Sequence, residues 1–358
     1  MSGKLYIAAA GAGKTRKIVD ESINSNKKVL ILTYTIANER QIIDRIKKRK
    51  GIIPSNIVVS TWFSFLLKEG IRPYQGYKFK ERIQGIIFCN GRSSIYTSKQ
   101  ETRYYQKDNK MYTDKLSECV IELNKISKGK VFARISKIYD VIYIDEVQDM
   151  VGYDLEILKE LIATKINIIM VGDPRQCTYS THSEKKNKKY GQGNIEGFLN
   201  EKCRGLDIEI DKVSLNITYR NNNEICEFAN KLYPDRIEVR AIKKVKNEFE
   251  GIKVIKKENI NNYLKKSNSV QLRHDKRTEI IEGYLCYNFG ESKGLEFKNI
   301  VIYPTKSMWD WVIDNSIELE KITRAKFYVA ITRASDTVVI VRKDDRKCNL
   351  PEILFEKF

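Results

Sequence analysis

The stretch "AAAGAGKTR", Ala8 to Arg16, sets two glycines, a lysine and a hydroxyl residue in one turn between an apolar run and an amphipathic one. That spacing suits a phosphate group. Backbone N–H groups of Ala10, Gly11, Ala12 and Gly13 can turn inward on phosphate oxygens, helped by the N-terminus of the helix that follows. Lys14 then reaches the β- and γ-phosphates, and Thr15 presents a hydroxyl to Mg²⁺. Ala8 stands where a glycine usually opens such a loop, so the stretch alone also fits a small-residue turn. In "VIYIDEVQD" an apolar run ends in Asp145 and Glu146. The first carboxylate suits the magnesium and the second the attacking water, although strands ending in acids are common. Read together, loop and carboxylates make a strong nucleotide signal.

Three weaker signals follow. "IIMVGDPRQ" places Gln176 after another apolar run, where it can touch a γ-phosphate or water; an Asp-Pro turn is the plain alternative. "ITYR" ends in Arg220, and "YVAITRASD" carries Arg333 within or near the end of a helix. An arginine aimed at a γ-phosphate stabilises charge that develops there, and a surface or salt-bridge arginine is the competing reading. "ESKGLEFKNIVIYP" sets Glu296 between a Lys-Gly turn and a strand, which says little in isolation.

The elements that must hold these residues are legible too. "LYIAAA", "KKVLILTYT", "NIVVST", "YDVIYIDE" and "NIIMVGD" read as buried parallel strands, with helices over 14–25, 36–48 and 153–164 between them. "KVSLNITYR", "GIKVIKK", "NSVQLRH", "NIVIYPT" and "DTVVIVRK" form a second series. The expected fold class is α/β, two α/β domains in tandem that meet near Gly205. Residues 76–135 interrupt the first series with thirteen Lys/Arg against six Asp/Glu and with Tyr96, Tyr104, Tyr105 and Tyr112 interleaved. That composition suits a single-stranded nucleic-acid path, or equally an insertion whose tyrosines pack its own core.

Composition fits both halves of this reading. The 358 residues are 42% hydrophobic and 31% charged, a globular balance, and the net charge of +19 points either to a polyanionic partner or to a lysine-rich soluble surface. No apolar run approaches the roughly 20 residues of a membrane span. The sequence opens directly on "KLYIAAA", so no secretory signal and no membrane partner are expected. Seven scattered cysteines and two histidines suit a reducing, cytoplasmic setting rather than a zinc site or a disulfide framework.

The order of these stretches resembles the UvrD/Rep-like branch of superfamily 1 helicases over most of the chain. In that family the phosphate loop begins with alanine, so "AAAGAGKT" fits. "LTYTIANERQI", "VVSTWFSFLL", "IDEVQD", "VGDPRQCTY", "ITYRNNNEI", "SKGLEF" and "YVAITRA" are similar to the family's further motifs in their usual order. The resemblance implies two tandem RecA-like P-loop NTPase domains with a small basic insertion in the first. They would comprise 1–205 (insertion about 66–136) and 206–345, with a tail over 346–358. It implies ATP and Mg²⁺ as cofactors, with Lys14, Thr15, Asp145 and Glu146 in the roles above. Gln176 would sense the γ-phosphate, and Arg220 and Arg333 would reach it from the second domain. Arg16 and Tyr219 would hold the adenine and Glu296 the ribose. Tyr34 would contact bases, and Thr61 and Trp62 lie in a stretch that touches DNA in the family. The implied activity is 3′-to-5′ movement on single-stranded DNA, driven by ATP hydrolysis in a cleft between the domains.

Departures keep two rivals open: an RNA helicase of the same superfamily, and a nucleotide switch that licenses a partner such as a nuclease. Phe63 replaces a histidine, and Asn288-Phe289-Gly290 replace a T-x-H triplet. A polar run follows Tyr179 where an aromatic-Arg-Gly segment is expected. Only three residues precede the first strand, leaving no room for the family's glutamine-containing adenine motif. The stretch from Arg220 to Ser292 is too short for the family's large second-domain insertion. These departures imply weak duplex unwinding by the chain alone. A P-loop nucleoside kinase is excluded because it needs neither "TYR" nor "AITRA".

Overall fold

Apolar runs too rich in Val and Ile to alternate build the first sheet. In the computed structural model, which describes residues 3–89, 91–178 and 186–353, they form β1 (Gly3–Ala8), β2 (Val29–Thr33) and β3 (Ile57–Thr61). All five residues of β2 are buried, as a parallel strand covered on both faces requires. Helices α1 (Lys14–Ile23), α2 (Ile36–Lys50) and the short α3 (Trp62–Phe65) follow these strands in turn. The Thr35 hydroxyl caps α2 by accepting from the Asn38 N–H, and Gly51 ends it at φ +78°.

The interruption between α3 and the next long strand contains β4 (Gly85–Ile87), β5 (Gln106–Lys107) and β6 (Lys110–Tyr112), then α4 (Leu116–Ile126) and α5 (Lys130–Ile138). It is not a free-standing subdomain. Tyr104, Tyr105, Met111 and Leu116 share one apolar core with Leu30, Ile142 and Met170 of the main sheet. The main sheet continues with β7 (Val141–Asp145), α6 (Tyr153–Ile162), β8 (Asn167–Gly172), α7 (Ile195–Lys202) and β9 (Ile208–Leu215). Its strand order is β3-β2-β7-β8-β1-β9. The β1–β8, β7–β8, β2–β7 and β2–β3 ladders are all parallel, so their C-terminal ends share one edge of the sheet. That edge is where α/β sheets place ligands.

"KVSLNITYR" is not one strand of the second series. It breaks at Asn216, whose N–H bonds back to the Val213 carbonyl. The residues before the break finish β9, a half-exposed, charged edge strand of the first sheet. Those after it form β10 (Ile217–Asn222), which pairs in parallel with β11 (Arg240–Lys243) around α8 (Asn223–Asn230).

The remaining elements are β12 (Gly251–Ile255), α9 (Ile260–Ser267), β13 (Val270–Arg273), β14 (Cys286–Asn288), β15 (Phe297–Tyr303), α10 (Lys306–Ile313), α11 (Lys321–Ile331) and β16 (Ala334–Val341). They build a second, wholly parallel sheet of order β12-β16-β15-β13-β14 over a core that includes Trp309, Trp311, Phe327 and Ile300. The fold class is α/β with parallel sheets.

The chain divides into two compact units. The first comprises Met1–Ile7, Lys14–Gly172 and Ser180–Asp211; the second comprises Ala8–Gly13, Asp173–Tyr179 and Lys212–Phe358. Tyr179, residues 180–185 of the polar run and the last five residues of the 346–358 tail lie outside the described residues. Among the described residues no helix is long and apolar enough to cross a membrane.

Candidate nucleotide site

In the first unit, α1 starts at Lys14 and β7 ends at Asp145, and the two meet through side chains. Lys14 Nζ lies 2.9 Å from Glu146 Oε1. The Thr15 hydroxyl faces Asp145 Oδ2 at 3.4 Å, and the Glu146 N–H donates to Asp145 Oδ1 at 2.9 Å. Glu146 adopts φ 56°, ψ 39°, a left-handed conformation that a non-glycine residue holds only when its surroundings impose it. Gln148 helps impose it, because its amide donates to the second Glu146 oxygen. Gly172 makes room for that amide: a Cβ there would stand 2.5 Å from Gln148 Oε1.

Asp145 is almost fully buried. Burial first, and then the neighbouring Glu146 charge, push its carboxyl up to about 6, while Lys14 pulls it down. A hydroxyl and a carboxylate oxygen at this spacing are hard donors of the kind Mg²⁺ takes, with substrate phosphates and waters filling its remaining positions. Among the described residues no group of three or more His, Cys, Asp or Glu side chains could hold a metal by itself.

The second unit carries the loop and the candidate sensors. Gly11 sits at φ +72°, and a Cβ there would fall 2.6 Å from Arg220 Cβ and 2.7 Å from Thr218 Oγ1. The Tyr219 N–H donates to the Gly11 carbonyl at 3.1 Å. Ala9 and Ala12 are buried with Cys226 and Val239, and Ala10 joins the core around Ile225 and Phe228. Small side chains are thus a packing requirement of this loop.

Arg333 follows α11 rather than lying in it, and is 2% exposed. Its guanidinium donates to Gln176 Oε1 at 3.0 Å and to the carbonyls of Leu295 and Val329. The Gln176 amide donates in turn to Asp173, a buried carboxylate that also accepts from Arg175 Nε at 2.8 Å and from the Tyr328 hydroxyl. Arg220 donates through two guanidinium nitrogens to one Glu296 oxygen, Oε1, and also donates to the Thr332 carbonyl. Glu296, expected at a ribose, is here the partner of that arginine. Tyr219 is well exposed, as is Arg16 of the first unit, which lies 3.5 Å from Asp20.

The expected nucleic-acid residues lie together in the structure but differ in what they are committed to. Tyr34 is half-buried, in the connection from β2 to α2. Thr61 is spent on capping α3, where its hydroxyl accepts from the Ser64 N–H. Trp62 is 1% exposed and its indole N–H donates to Asp154 Oδ1 at 2.8 Å, so its ring is committed to the core and is not a base-stacking surface. Its neighbour Phe63 instead meets Phe88 edge-on at 6.3 Å, and Phe88 is 76% exposed. Tyr104 and Tyr105 are buried, whereas Tyr96 is fully exposed. Sequence reasoning missed Phe88 and Asp154. Phe88 lies in the short apolar run Ile86–Cys89, which reads as core rather than surface, and Asp154 carries no local signature.

Comparison with known proteins follows the same lines. The family model described as the UvrD/REP helicase N-terminal domain matches residues 95–187, the segment that holds Asp145, Glu146 and Gln176. Over that segment the chain resembles the UvrD/REP helicase N-terminal domain, as its motifs do. No match is found among curated proteins. Among solved structures, arterivirus nonstructural protein 10 (helicase) has a TM-score of 0.49 at 14% identity, covering 96% of this chain and 61% of that one. The same arterivirus protein in a complex structure with DNA gives 0.49 at 14% identity, with 96% and 62% covered. The PRRSV helicase gives 0.47 at 15% identity, with 98% and 55% covered. This chain therefore spans less than two thirds of the length of these helicases.

Proposed function

We propose that this chain is an ATP-dependent translocase of helicase type that moves on single-stranded DNA, in the 3′-to-5′ direction its family resemblance implies. One observation carries the proposal: Lys14 and Thr15 are held against Glu146 and Asp145 by the ends of a parallel sheet. The loop from Ala10 to Gly13 would cradle the phosphates. Thr15 and Asp145 would hold Mg²⁺, which would supply charge neutralisation on the transferred phosphoryl group. Lys14 would exchange its bond with Glu146 for phosphate, freeing Glu146 to orient and deprotonate a water. Gln176, Arg333 and Arg220 would answer to the γ-phosphate, and Arg16, Tyr219 and Glu296 to the nucleoside. The motor domains would be 1–205 and 206–345, acting in the cytoplasm, with nucleotide hydrolysed in a cleft between them.

Tyr34, the Phe63–Phe88 pair, Tyr96 and the basic insertion would form the nucleic-acid face of the first domain. The test measures NTP hydrolysis without nucleic acid and with single-stranded DNA, single-stranded RNA or duplex. Stimulation strongest with single-stranded DNA supports the reading, and strongest with RNA transfers it to an RNA motor. A stimulated rate without displacement of a protein block from either strand end favours a switch that licenses a partner protein. A rate indifferent to all three nucleic acids overturns it.

A further inference from the structure

The first unit contains a buried carboxylate that the nucleotide site does not use. Asp154, in the first turn of α6, is 0% exposed. It accepts from the Tyr34 hydroxyl at 3.2 Å, from Trp62 Nε1 at 2.8 Å and from the Ser117 hydroxyl. These donors come from three separate segments: the β2–α2 connection, the start of α3 and the first turn of α4 in the insertion. No cation pairs with Asp154 among the described residues, so its charge rests on neutral donors and on the N-terminal end of its own helix. A buried carboxylate held this way is costly to leave unsatisfied, and each donor is fixed in place by it.

We infer that Asp154 is a positioning residue for nucleic-acid binding. It fastens the Tyr34 hydroxyl from inside, so that the other side of the half-buried ring is presented in one orientation. It also ties that ring to the Trp62 segment, and through Ser117 to the insertion. Tyr34 and Trp62 reinforce this arrangement with ring centroids 6.3 Å apart. The chain reaches α6 from Asp145 and Glu146 through the turn Val147–Asp149 and residues 150–152, so the fastening point lies on the first helix after the carboxylates. This inference rests on the proposed role of Tyr34 as a base contact.

The test uses the full chain, an oligothymidylate as probe, and two readouts: stimulated NTP hydrolysis and direct oligomer binding. Asp154→Asn removes the charge. Tyr34→Phe keeps the ring and removes only the tethering hydroxyl. Each should raise the oligomer concentration for half-maximal stimulation about tenfold, with the maximal rate retained. The Asp154→Asn rate without nucleic acid should equal that of the parent. The double variant should be no worse than either single, because both cut one link. If both variants fold and their half-saturation is unshifted, with only the melting temperature lowered, Asp154 is a structural fastener and the inference fails. Additive effects also overturn it. If Asp154→Asn does not fold, Tyr34→Phe decides alone. A parent that neither binds nor responds to the oligomer removes the functional reading, and this inference with it.

Discussion

The charged groups of the two units are held in opposite ways. In the first unit Lys14 and Glu146 pair with each other, their side chains 11% and 15% exposed, and on the proposed function each would trade its partner for a phosphate or a water. In the second, Arg333 and Gln176 are 2% and 4% exposed and are committed to carbonyls and to the Asp173 carboxylate. Burial works against the Arg175 charge beside them, and Asp173 with Tyr328 more than offsets it, so that guanidinium stays charged. An exchangeable pair suits groups that take part in each turnover. A committed network suits groups whose geometry must be fixed before charge develops, because donors already oriented need no reorganisation.

The strongest way to break this contrast is Arg333→Ala. If the buried guanidinium serves the γ-phosphate, turnover should fall by about 10³-fold or more. Arg333→Lys should fall nearly as far, because an ammonium cannot reproduce the separate bonds to Gln176, Leu295 and Val329. Steady-state hydrolysis, alongside a melting curve, separates this from scaffolding. A folded Ala variant with near-parental turnover would assign Arg333 to structure alone.

The exchangeable pair comes next. Glu146→Gln should retain nucleotide binding and lose hydrolysis by about 10²-fold or more, since only proton acceptance is removed. Lys14→Ala should lose binding as well. Labelled-nucleotide binding with single-turnover hydrolysis reads both, and equal turnover by Glu146→Gln and the parent would end the assignment.

Asp145 sharpens the contrast within the first unit, and its sign is opposite to that of a salt-bridged carboxylate. Its folded-state value of about 6 lies above the ordinary 3.8, so the native state holds the proton more tightly than the unfolded chain. Stability is therefore lost as pH rises through roughly 4 to 6, by at most about 3 kcal/mol. Without metal, Asp145→Asn should escape this loss. Chemical denaturation of both proteins across that range is the measurement. A difference between them that stays flat with pH would show that Asp145 is not desolvated as the structure indicates.

The sheet and its site were legible in the sequence to different degrees. Continuous Val/Ile runs such as "VLILT" have one reading, a strand buried on both faces, and β2 is that strand. Lys14, Thr15, Asp145 and Glu146 stood out because phosphate and metal chemistry would demand such residue types at strand ends, and the structure brings the four together. The break at Asn216 was not, since it depends on which sheet captures each half of an apolar stretch. Nor was the direction of Trp62, because a tryptophan after a strand end suits a core or a surface equally. Its partner Asp154 lies 92 residues away in the chain.

The smallest expected effect lies in the insertion, where the same division between committed and available groups recurs among aromatic rings. Tyr104 is buried and its hydroxyl donates to Glu118 Oε2 at 2.9 Å; Tyr96, eight residues earlier, is fully exposed. Composition alone gave the two the same standing. If burial decides the role, Tyr104→Phe should cost about 1 kcal/mol of stability, the worth of one hydrogen bond, and leave oligonucleotide affinity unchanged. Tyr96→Ala should leave the melting temperature unchanged and weaken single-strand binding by about 1 kcal/mol, because a ring in solvent has only a base to lose. Affinity of both variants should still fall steeply with added salt, since the basic side chains that release counterions are untouched. Fluorescence anisotropy with a labelled oligothymidylate at two salt concentrations, beside thermal melts, resolves differences of this size. A Tyr96→Ala variant that binds as the parent does would move the nucleic-acid face away from this loop and leave it to Tyr34 and the Phe63–Phe88 pair.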